Sequence, residues 1–174
     1  IYKSIFKMAK IFLTLTLTLF FTQTLNSNEI HGTPRIIDGD TLSINAKKIR
    51  LAGIDAPEIK QQCKKPLLKI SGIIGFQFNK DYKCGVTAKI KLKDKINISK
   101  IKCISLSKDR YKRFLATCYK DKINLNKWMV RNGYAVAYRR YSKDYVSDEN
   151  YAKENKLGIW EGSFMRPEKW RKLN

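Results

Sequence analysis

Two β-hairpins are predicted by the alternation of apolar and polar positions. In the first, apolar residues alternate with polar ones on both sides of a turn at Asn45-Ala46, a pattern typical of a half-buried hairpin. In the second, two strands flank a tight turn at Asp109-Arg110-Tyr111. Isoleucines spaced from Ile96 to Ile104 predict the strand that enters this second hairpin.

Three helices are predicted around these strands. Residues 86–96 carry apolar side chains at helical spacing, and residues 125–131 form a short amphipathic segment that Gly133 ends. A third helix is expected after Ser147, as its N-cap, and before the stop signal Gly158. Short strands with small helices between them favour a compact β-barrel with helices packed against it, and the sequence shows neither an internal repeat nor a second domain.

The N-terminal segment has the pattern of a secretory signal. Three lysines precede the apolar run 11–21, and polar residues follow it. The run is short for a permanent membrane anchor, which needs about 20 apolar residues. A β-strand is the other alternative, because leucines alternate with threonines there. The prediction is a cleaved signal over residues 1–28 and a domain over residues 29–174, exported to the periplasm or secreted, with no stable membrane insertion after processing.

The composition describes a folded, strongly cationic domain. The 174 residues include 36 Lys and Arg against 15 Asp and Glu, a formal charge of +21, with 43% hydrophobic and 11% aromatic residues. This hydrophobic content excludes a disordered polybasic tail. Such a charge favours a polyanionic partner, either nucleic acid or an anionic membrane surface. A membrane-active protein would need a basic amphipathic helix, whereas the predicted helices carry mixed charge.

Export changes the interpretation of the four cysteines. They allow three disulfide pairings, and no C-x-x-C spacing indicates zinc. The hairpin centred on residues 110 and 111 places Cys103 opposite Cys118, which favours that bridge and leaves Cys63 to pair with Cys84. If the chain stays in the cytosol, four buried thiols are the alternative.

Two acidic residues are the main candidates for chemistry. Asp40 ends one predicted strand and Asp55 ends its partner in the same hairpin, so the two carboxylates are expected to meet at one edge of the sheet. Carboxylates side by side repel unless a cation joins them, and oxygen ligands suit Ca²⁺ or a similar hard ion. The alternative is a pair of ordinary turn residues. The single histidine, His31, is expected to be an exposed N-terminal residue, which argues against a histidine base.

Three motifs resemble those of the staphylococcal nuclease (thermonuclease) family. They are Ile-Asp-Gly-Asp-Thr at residues 37–41, Ile-Arg-Leu-Ala-Gly-Ile-Asp-Ala-Pro-Glu at 49–58 and Asp-Arg-Tyr-Lys-Arg at 109–113. The similarity spans about residues 34–160. It implies an α+β, mainly β fold, namely an OB-fold with a five-stranded Greek-key barrel and about three helices, which is a fold that commonly binds oligonucleotides.

The resemblance also implies a set of site residues and a reaction. Asp40, Asp55 and the backbone carbonyl of Ala56 would bind Ca²⁺, and Glu58 would deprotonate the attacking water. Arg50 and Arg113 would bind the phosphate as negative charge develops. The implied enzyme is a monomeric nuclease that hydrolyses single-stranded DNA and RNA to 3′-phosphorylated products. The alternative is a non-catalytic OB-fold binding module, against which the complete set of acids and arginines argues.

Weaker expectations concern the surroundings of this site. Three tyrosines could stack on the nucleotide or simply pack against the barrel. Lys112 stands where the family has glycine, in a turn that requires a left-handed backbone. Residues 61–83 are an apparent insertion, and the basic and aromatic tail 161–174 is either a cap on the barrel or an extra nucleic-acid contact. The three tyrosines are Tyr111, Tyr138 and Tyr141.

Overall fold

A computed structural model describes residues 28–69 and 77–174 of the chain. The predicted signal therefore lies outside the described residues, apart from Asn28. Within the described ranges the strands are β1 (Asn28–Gly32), β2 (Arg35–Ile36), β3 (Thr41–Ile44), β4 (Lys47–Leu51), β5 (Ile54–Asp55), β6 (Cys63–Lys69), β7 (Gln77–Tyr82), β8 (Ile101–Lys108), β9 (Phe114–Lys120), β10 (Ile123–Asn124) and β11 (Val136–Ala137). The helices are α1 (Cys84–Ile96), α2 (Leu125–Arg131), α3 (Val146–Glu154), a 3-10 helix (Gly158–Glu161) and α4 (Pro167–Leu173).

The main sheet has the strand order β1-β8-β9-β4-β3-β2, with β10 beside β9. Its neighbours are antiparallel except β4 and β9, which pair in parallel. The sheet curls into a half-barrel, and β5 and β11 form a separate two-stranded piece. The mainly β class and the OB-fold expected from the sequence are confirmed. The structure describes more strands than the expected five, and several of them are only two residues long. It describes four α-helices where about three were expected.

Both predicted hairpins are present with the predicted turns. Asn45 and Ala46 have φ angles of 49° and 61°, so β3 and β4 are joined by a two-residue turn in the left-handed region. At the second turn Lys112 has φ 62°, the conformation that its glycine-replacing position was expected to need. A side chain held in that region costs about 1–2 kcal/mol, which the surrounding hairpin must offset.

The helix predictions are confirmed in position, with changes at their ends. Helix α2 has the predicted bounds, and α1 begins two residues before the predicted range 86–96. The isoleucine run is divided, because Ile96 ends α1 and the strand begins only at Ile101. Asn97 between them has φ 55°, which breaks both the helix and a continuous strand.

The predicted cap of the third helix is wrong. Ser147 lies inside the first turn of α3, and the position before the helix is Tyr145, whose side chain makes no capping hydrogen bond. Tyr145 is 7% exposed and belongs to the hydrophobic core, so tertiary packing sets the start of this helix.

The hydrophobic core lies between the curled sheet and the helices. It combines inward residues of β3, β4, β8 and β9 with one face each of α1 and α2. The largest fully buried apolar side chains are Leu42, Ile44, Ile49, Leu51, Ile54, Leu92, Ile96, Leu125, Met129 and Val130. This core fixes the two strands from which the site residues extend.

All four cysteines form the two predicted disulfides. Cys103 and Cys118 are directly opposed in β8 and β9 and are bonded to each other, and Cys63 is bonded to Cys84. The alternative of four buried thiols is therefore wrong for this structure. Disulfides are typical of oxidising compartments, which is consistent with the expected export.

The apparent insertion at residues 61–83 forms a two-stranded hairpin of its own, in which β6 pairs with β7. The Cys63–Cys84 disulfide ties its base to the start of α1, and Lys64 pairs with Ser163 of the C-terminal tail. Residues 70–76, between the two strands, lie outside the described residues. Across the ranges that the structure describes, the helices are all too short or too polar to cross a lipid bilayer.

Candidate active site

Arg50 joins the two predicted carboxylates. Its Nη1 donates to Asp40 Oδ1 at 2.7 Å and its Nη2 donates to Asp55 Oδ1 at 3.0 Å. Asp40 lies just before β3 and close to Arg50 of β4, because the next residue, Thr41, is the register partner of Arg50. Asp55 ends the separate strand β5, and not the partner strand of the hairpin as the sequence suggested. The expected convergence of the two acids is nevertheless present, with an arginine between them.

Asp40 is held at both carboxylate oxygens. Besides Arg50, the hydroxyl of Thr41 donates to Oδ1 at 3.0 Å, and the backbone N–H of Ala56 donates to Oδ2 at 3.0 Å. Asp40 is 4% exposed and Asp55 is 1% exposed. Both carboxylates are thus buried and have defined orientations.

A third acid, Asp38, lies beside this pair and was not among the predicted site residues. Its Oδ1 accepts the backbone N–H of Asp40 at 3.0 Å. Burial, reinforced by the negative charge of Asp40, raises the pKa of Asp38 to about 6. The Asp-x-Asp spacing was the available signal, because it places both side chains near the same strand start.

The donor set fits a hard divalent cation. Burial, together with the negative charge of Asp40, raises the pKa of Asp55 against the opposing effect of Arg171 and Arg50. The described residues contain no group of three or more His, Cys, Asp or Glu side chains arranged to hold a metal. An ion here would therefore need main-chain and water oxygens in addition to Asp40 and Asp55, which suits Ca²⁺ or Mg²⁺ better than Zn²⁺.

Glu58 lies in the loop after β5, one third exposed at the edge of the cleft. Its backbone N–H donates to Gln61 Oε1 at 3.2 Å. The loop also packs against α1 so closely that a Cβ on Gly85 would collide with the carbonyl oxygen of Glu58. The position of Glu58 is therefore set by its loop and by the packing of that loop against α1. Glu58 follows Pro57 but does not begin a helix.

Arg113 is held by Asp109 at the end of the second hairpin. Its Nε and Nη2 both lie 2.7 Å from Asp109 Oδ2. The ring of Tyr111 lies below two guanidinium groups, with centroid distances of 4.7 Å to Arg110 and 5.4 Å to Arg113. Tyr111 is 63% exposed, so its ring is accessible from solvent.

Tyr138 and Tyr141 also line the cleft. Their rings pack edge to face with centroids 4.8 Å apart. Burial, followed by the charge of Glu168, raises the pKa of the Tyr138 hydroxyl, so this group is a neutral hydrogen-bond donor at neutral pH. Tyr141 is 70% exposed. Both tyrosines are therefore accessible from the cleft.

Arg171 is a site residue that the sequence did not reveal. It extends from α4 in the C-terminal tail, and its guanidinium contacts both Asp55 and Glu58. Burial lowers its pKa, but the hydrogen bonds that it donates to these acids outweigh that effect and raise the pKa, so Arg171 is always charged. The only signal was the basic and aromatic composition of the tail, which does not identify one arginine among its cations.

The predicted residues meet in one cleft of about 1160 Å³. Asp55 lies directly beneath its surface, bonded to Arg50. The disulfides and the β6–β7 hairpin lie elsewhere, as does His31, which is bonded to Glu29 in β1. Predicted site residues that line the cleft are Asp40, Arg50, Ala56, Glu58, Tyr111, Arg113, Tyr138 and Tyr141.

Comparison with known proteins agrees with this arrangement. The profile of staphylococcal nuclease homologues matches residues 48–162. An uncharacterized endonuclease of Haemophilus influenzae is 33% identical over 94% of this chain and 85% of its own length. The micrococcal nuclease of Shigella flexneri is 29% identical over 80% of this chain and 79% of its own length. The succinoglycan biosynthesis protein ExoI of Rhizobium meliloti is 34% identical over 75% of this chain, which spans only 64% of that relative.

An OB-fold whose cleft holds paired acids beside arginines defines a protein that acts on phosphate esters. The chain belongs to the staphylococcal nuclease family and is a nuclease. Its substrate is accordingly nucleic acid, and the family is metal-dependent.

Proposed function

We propose that this nuclease is a Ca²⁺-dependent phosphodiesterase that cleaves single-stranded DNA and RNA and leaves 3′-phosphorylated products. One observation carries the proposal: Arg50 joins Asp40 to Asp55, and Arg171 joins Asp55 to Glu58, at the cleft that Arg113 also lines. A binding module would need the basic surface alone, and not buried acids that oppose a polyanion.

Asp40, Asp55 and the backbone carbonyl of Ala56 would hold the Ca²⁺ ion. When bound, the ion would supply positive charge to a phosphate oxygen and make a nearby water more acidic. Asp40 and Asp55 are already oriented by hydrogen bonds, so little reorganisation is needed when the ion binds. The acids that remain ionised here repel the phosphate, which is a further reason for the ion.

Glu58 is the proposed general base. It lies at the mouth of the cleft, where water can reach it, and its loop fixes the position of its backbone. It would accept the proton of the water that attacks the phosphorus atom. Arg50 and Arg113 would neutralise the charge that grows on the phosphate oxygens during this step.

The three tyrosines would bind the nucleotides. Tyr111 offers an exposed ring beside Arg113, on which a base can stack. Tyr138 and Tyr141 would contact the sugar or the base. Such contacts need unpaired bases, which is why single strands are the proposed substrate.

Export and a monomeric state complete the proposal. Two formed disulfides support an oxidising compartment, in the periplasm or outside the cell. The signal over residues 1–28 and the domain over residues 29–174 remain predictions. Strand β1 (Asn28–Gly32) pairs with β8, so the residues that follow the proposed cleavage site are part of the main sheet.

The test is a cleavage assay on the purified protein. Single-stranded DNA and RNA would be incubated with Ca²⁺, with Zn²⁺ and with excess chelator, and the product ends would be identified. We expect cleavage with Ca²⁺, little with Zn²⁺, none with chelator, and 3′-phosphate ends. Full activity in chelator would contradict the metal site, and tight DNA binding without cleavage would favour the binding module.

A matched pair of variants tests the base. Glu58→Gln retains size and hydrogen-bonding atoms but removes the proton acceptor, so we expect a rate at least about 10²-fold lower with little change in affinity for single-stranded DNA. Glu154→Gln makes the same chemical change at an exposed position of α3 and should leave the rate unchanged. A wild-type rate in Glu58→Gln would contradict the role of Glu58.

A further inference from the structure

We propose that Arg171 is a positioning residue of the nuclease reaction, which holds Glu58 and Asp55 in the geometry that cleavage requires. The proposal rests on the proposed function, because it assigns a purpose to Arg171 only if Glu58 acts on the attacking water. It adds the C-terminal helix α4 to the active site.

The contacts of Arg171 join the two acids. Its Nη1 lies 2.8 Å from Glu58 Oε1 and 2.9 Å from Asp55 Oδ1, and its Nη2 donates to Asp55 Oδ2 at 3.0 Å. A guanidinium fork with two fixed nitrogens imposes a direction on each carboxylate. Asp55 is thereby held between Arg50 on one side and Arg171 on the other.

Glu58 is the acid that gains most from this contact. Its side chain is one third exposed, whereas Asp55 is buried and already bonded to Arg50. An exposed glutamate samples several rotamers unless a partner selects one. Among the described residues Arg171 is the side chain bonded to the Glu58 carboxylate, and it engages only Oε1. Oε2 is left to accept a proton from water.

The tail that carries Arg171 is fixed to the domain before α4 begins. Gln61 Nε2 donates to the carbonyl oxygen of Met165 at 2.6 Å, and Arg166 Nη2 donates to Glu149 Oε1 at 3.1 Å. Pro167, the first residue of α4, is buried. The side-chain oxygen of the same Gln61 accepts the backbone N–H of Glu58, so Gln61 links the Glu58 loop to the tail. The contact between Arg171 and the Glu58 carboxylate is the second link between them.

Two other roles for Arg171 predict different results. A guanidinium that only blocked the acids would slow the enzyme, so its removal would raise the rate. A guanidinium that only bound the phosphate backbone would contribute to affinity, so its removal would weaken DNA binding. A positioning residue instead contributes to the rate of the bound complex.

The experiment compares wild type, Arg171→Ala, Arg171→Lys and the control Lys169→Ala, which removes the same charge from an exposed position of α4 outside the cleft. Single-turnover rates would be measured at saturating Ca²⁺ and single-stranded DNA, with binding isotherms for DNA and for Ca²⁺ and with thermal melts. We expect Arg171→Ala to lose about 10- to 100-fold in rate, the range found when a group that orients a site ligand is removed. DNA affinity should change less than about threefold, Arg171→Lys should recover part of the rate, and Lys169→Ala should match wild type.

A second arm separates positioning from a general effect on folding. If Arg171 acts through Glu58, adding Arg171→Ala to Glu58→Gln should cause little further loss of rate. A full additional loss of rate, or an Arg171→Ala variant as fast as or faster than wild type, would overturn the proposal. A wild-type protein that fails to cleave would overturn the proposed function itself, and this proposal with it.

Discussion

Asp109 holds Arg113 through one carboxylate oxygen, Oδ2, which accepts from Nε and Nη2 at 2.7 Å each. The other oxygen, Oδ1, accepts the backbone N–H groups of Tyr111 and Arg113 at 2.9 Å. Burial opposes ionisation of Asp109, but the hydrogen bonds from Arg113 outweigh it and lower the pKa of Asp109. One carboxylate therefore shapes the turn and aims the arginine.

Replacing Asp109 with Asn should reduce the rate of cleavage. The amide has one acceptor oxygen and no charge, so Arg113 would lose its orientation while the turn could persist. We expect a loss of about 10-fold, measured under single turnover at saturating DNA. In an Arg113→Ala background the same change should have little further effect, because the oriented group is already absent.

The control for this variant is Asp94→Asn, at an exposed position of α1 that does not line the cleft. It makes the same charge change and should retain the wild-type rate. An Asp109→Asn variant that cleaves as fast as wild type would show that Arg113 finds its orientation without Asp109.

Glu149 should govern part of the acid stability of the fold. Its carboxylate is fully buried and accepts from Arg139 at 3.2 Å, and Arg166 and Lys153 also contact it. Burial raises the pKa of Glu149, but these cations outweigh it and lower the pKa below 4.5. As the pH falls, Glu149 is therefore protonated at a higher pH in the unfolded chain than in the folded protein. Stability from Glu149 is complete above about pH 4.5 and is lost as the pH falls through the lower pKa of the folded state.

Urea unfolding between pH 7 and pH 3 tests this expectation. At pH 7, Glu149→Gln should lower the free energy of unfolding by about 2 kcal/mol, because it leaves cations without their buried partner. Its stability should then depend less on pH below 4.5 than that of wild type. Glu154→Gln, exposed on the same helix, should follow the wild-type curve. Parallel curves for Glu149→Gln and wild type would contradict the assignment.

The β6–β7 hairpin should contribute to binding and not to chemistry. Lys65 of β6 stands directly opposite Lys80 of β7, and both are exposed. Like charges in opposed positions destabilise a hairpin unless an anion lies near them, and a nucleic-acid backbone is such an anion. The described residues of β6 and β7 do not line the cleft.

Replacing Lys65 and Lys80 with Ala should therefore weaken binding to single-stranded DNA and flatten its salt dependence. Each lost phosphate contact reduces the slope of log K against log salt by about 0.7, so the expected change is about 1.4. The single-turnover rate at saturating DNA should stay unchanged. The control is the pair Lys91 and Lys93, exposed on α1. An equal loss of affinity in both pairs would indicate a diffuse basic surface.

The convergence of the first predicted site residues is encoded locally. Asp40, Arg50 and Asp55 lie in two motifs close in sequence, and the two-residue turn at Asn45-Ala46 sets the register that brings Arg50 to Asp40. The second hairpin likewise placed Cys103 opposite Cys118 by counting from its turn. The first relationship follows from strand periodicity, whereas the second also depends on a one-residue register shift between Ser105 and Ser107.

The features that were missed depend on packing between distant segments. Arg171 is 113 residues from Glu58, and no periodic pattern connects them. The start of α3 was misplaced because the burial of Tyr145 sets it, and not a capping side chain. Asp55 was assigned to the first hairpin because its pairing with Val136 of β11 cannot be seen in either segment alone.

The close contact between Gly85 and the Glu58 loop has a consequence for how relatives of this nuclease are classified. Any side chain at position 85 would push against the main chain of Glu58, which cannot yield as a flexible side chain could. A homologue could thus keep each acid and arginine of the signature and still be inactive if the residue that corresponds to Gly85, 27 positions after Glu58, carries a methyl group. An intact motif identifies membership of the family, and the residue at the position of Gly85 helps to predict whether a member is an active nuclease.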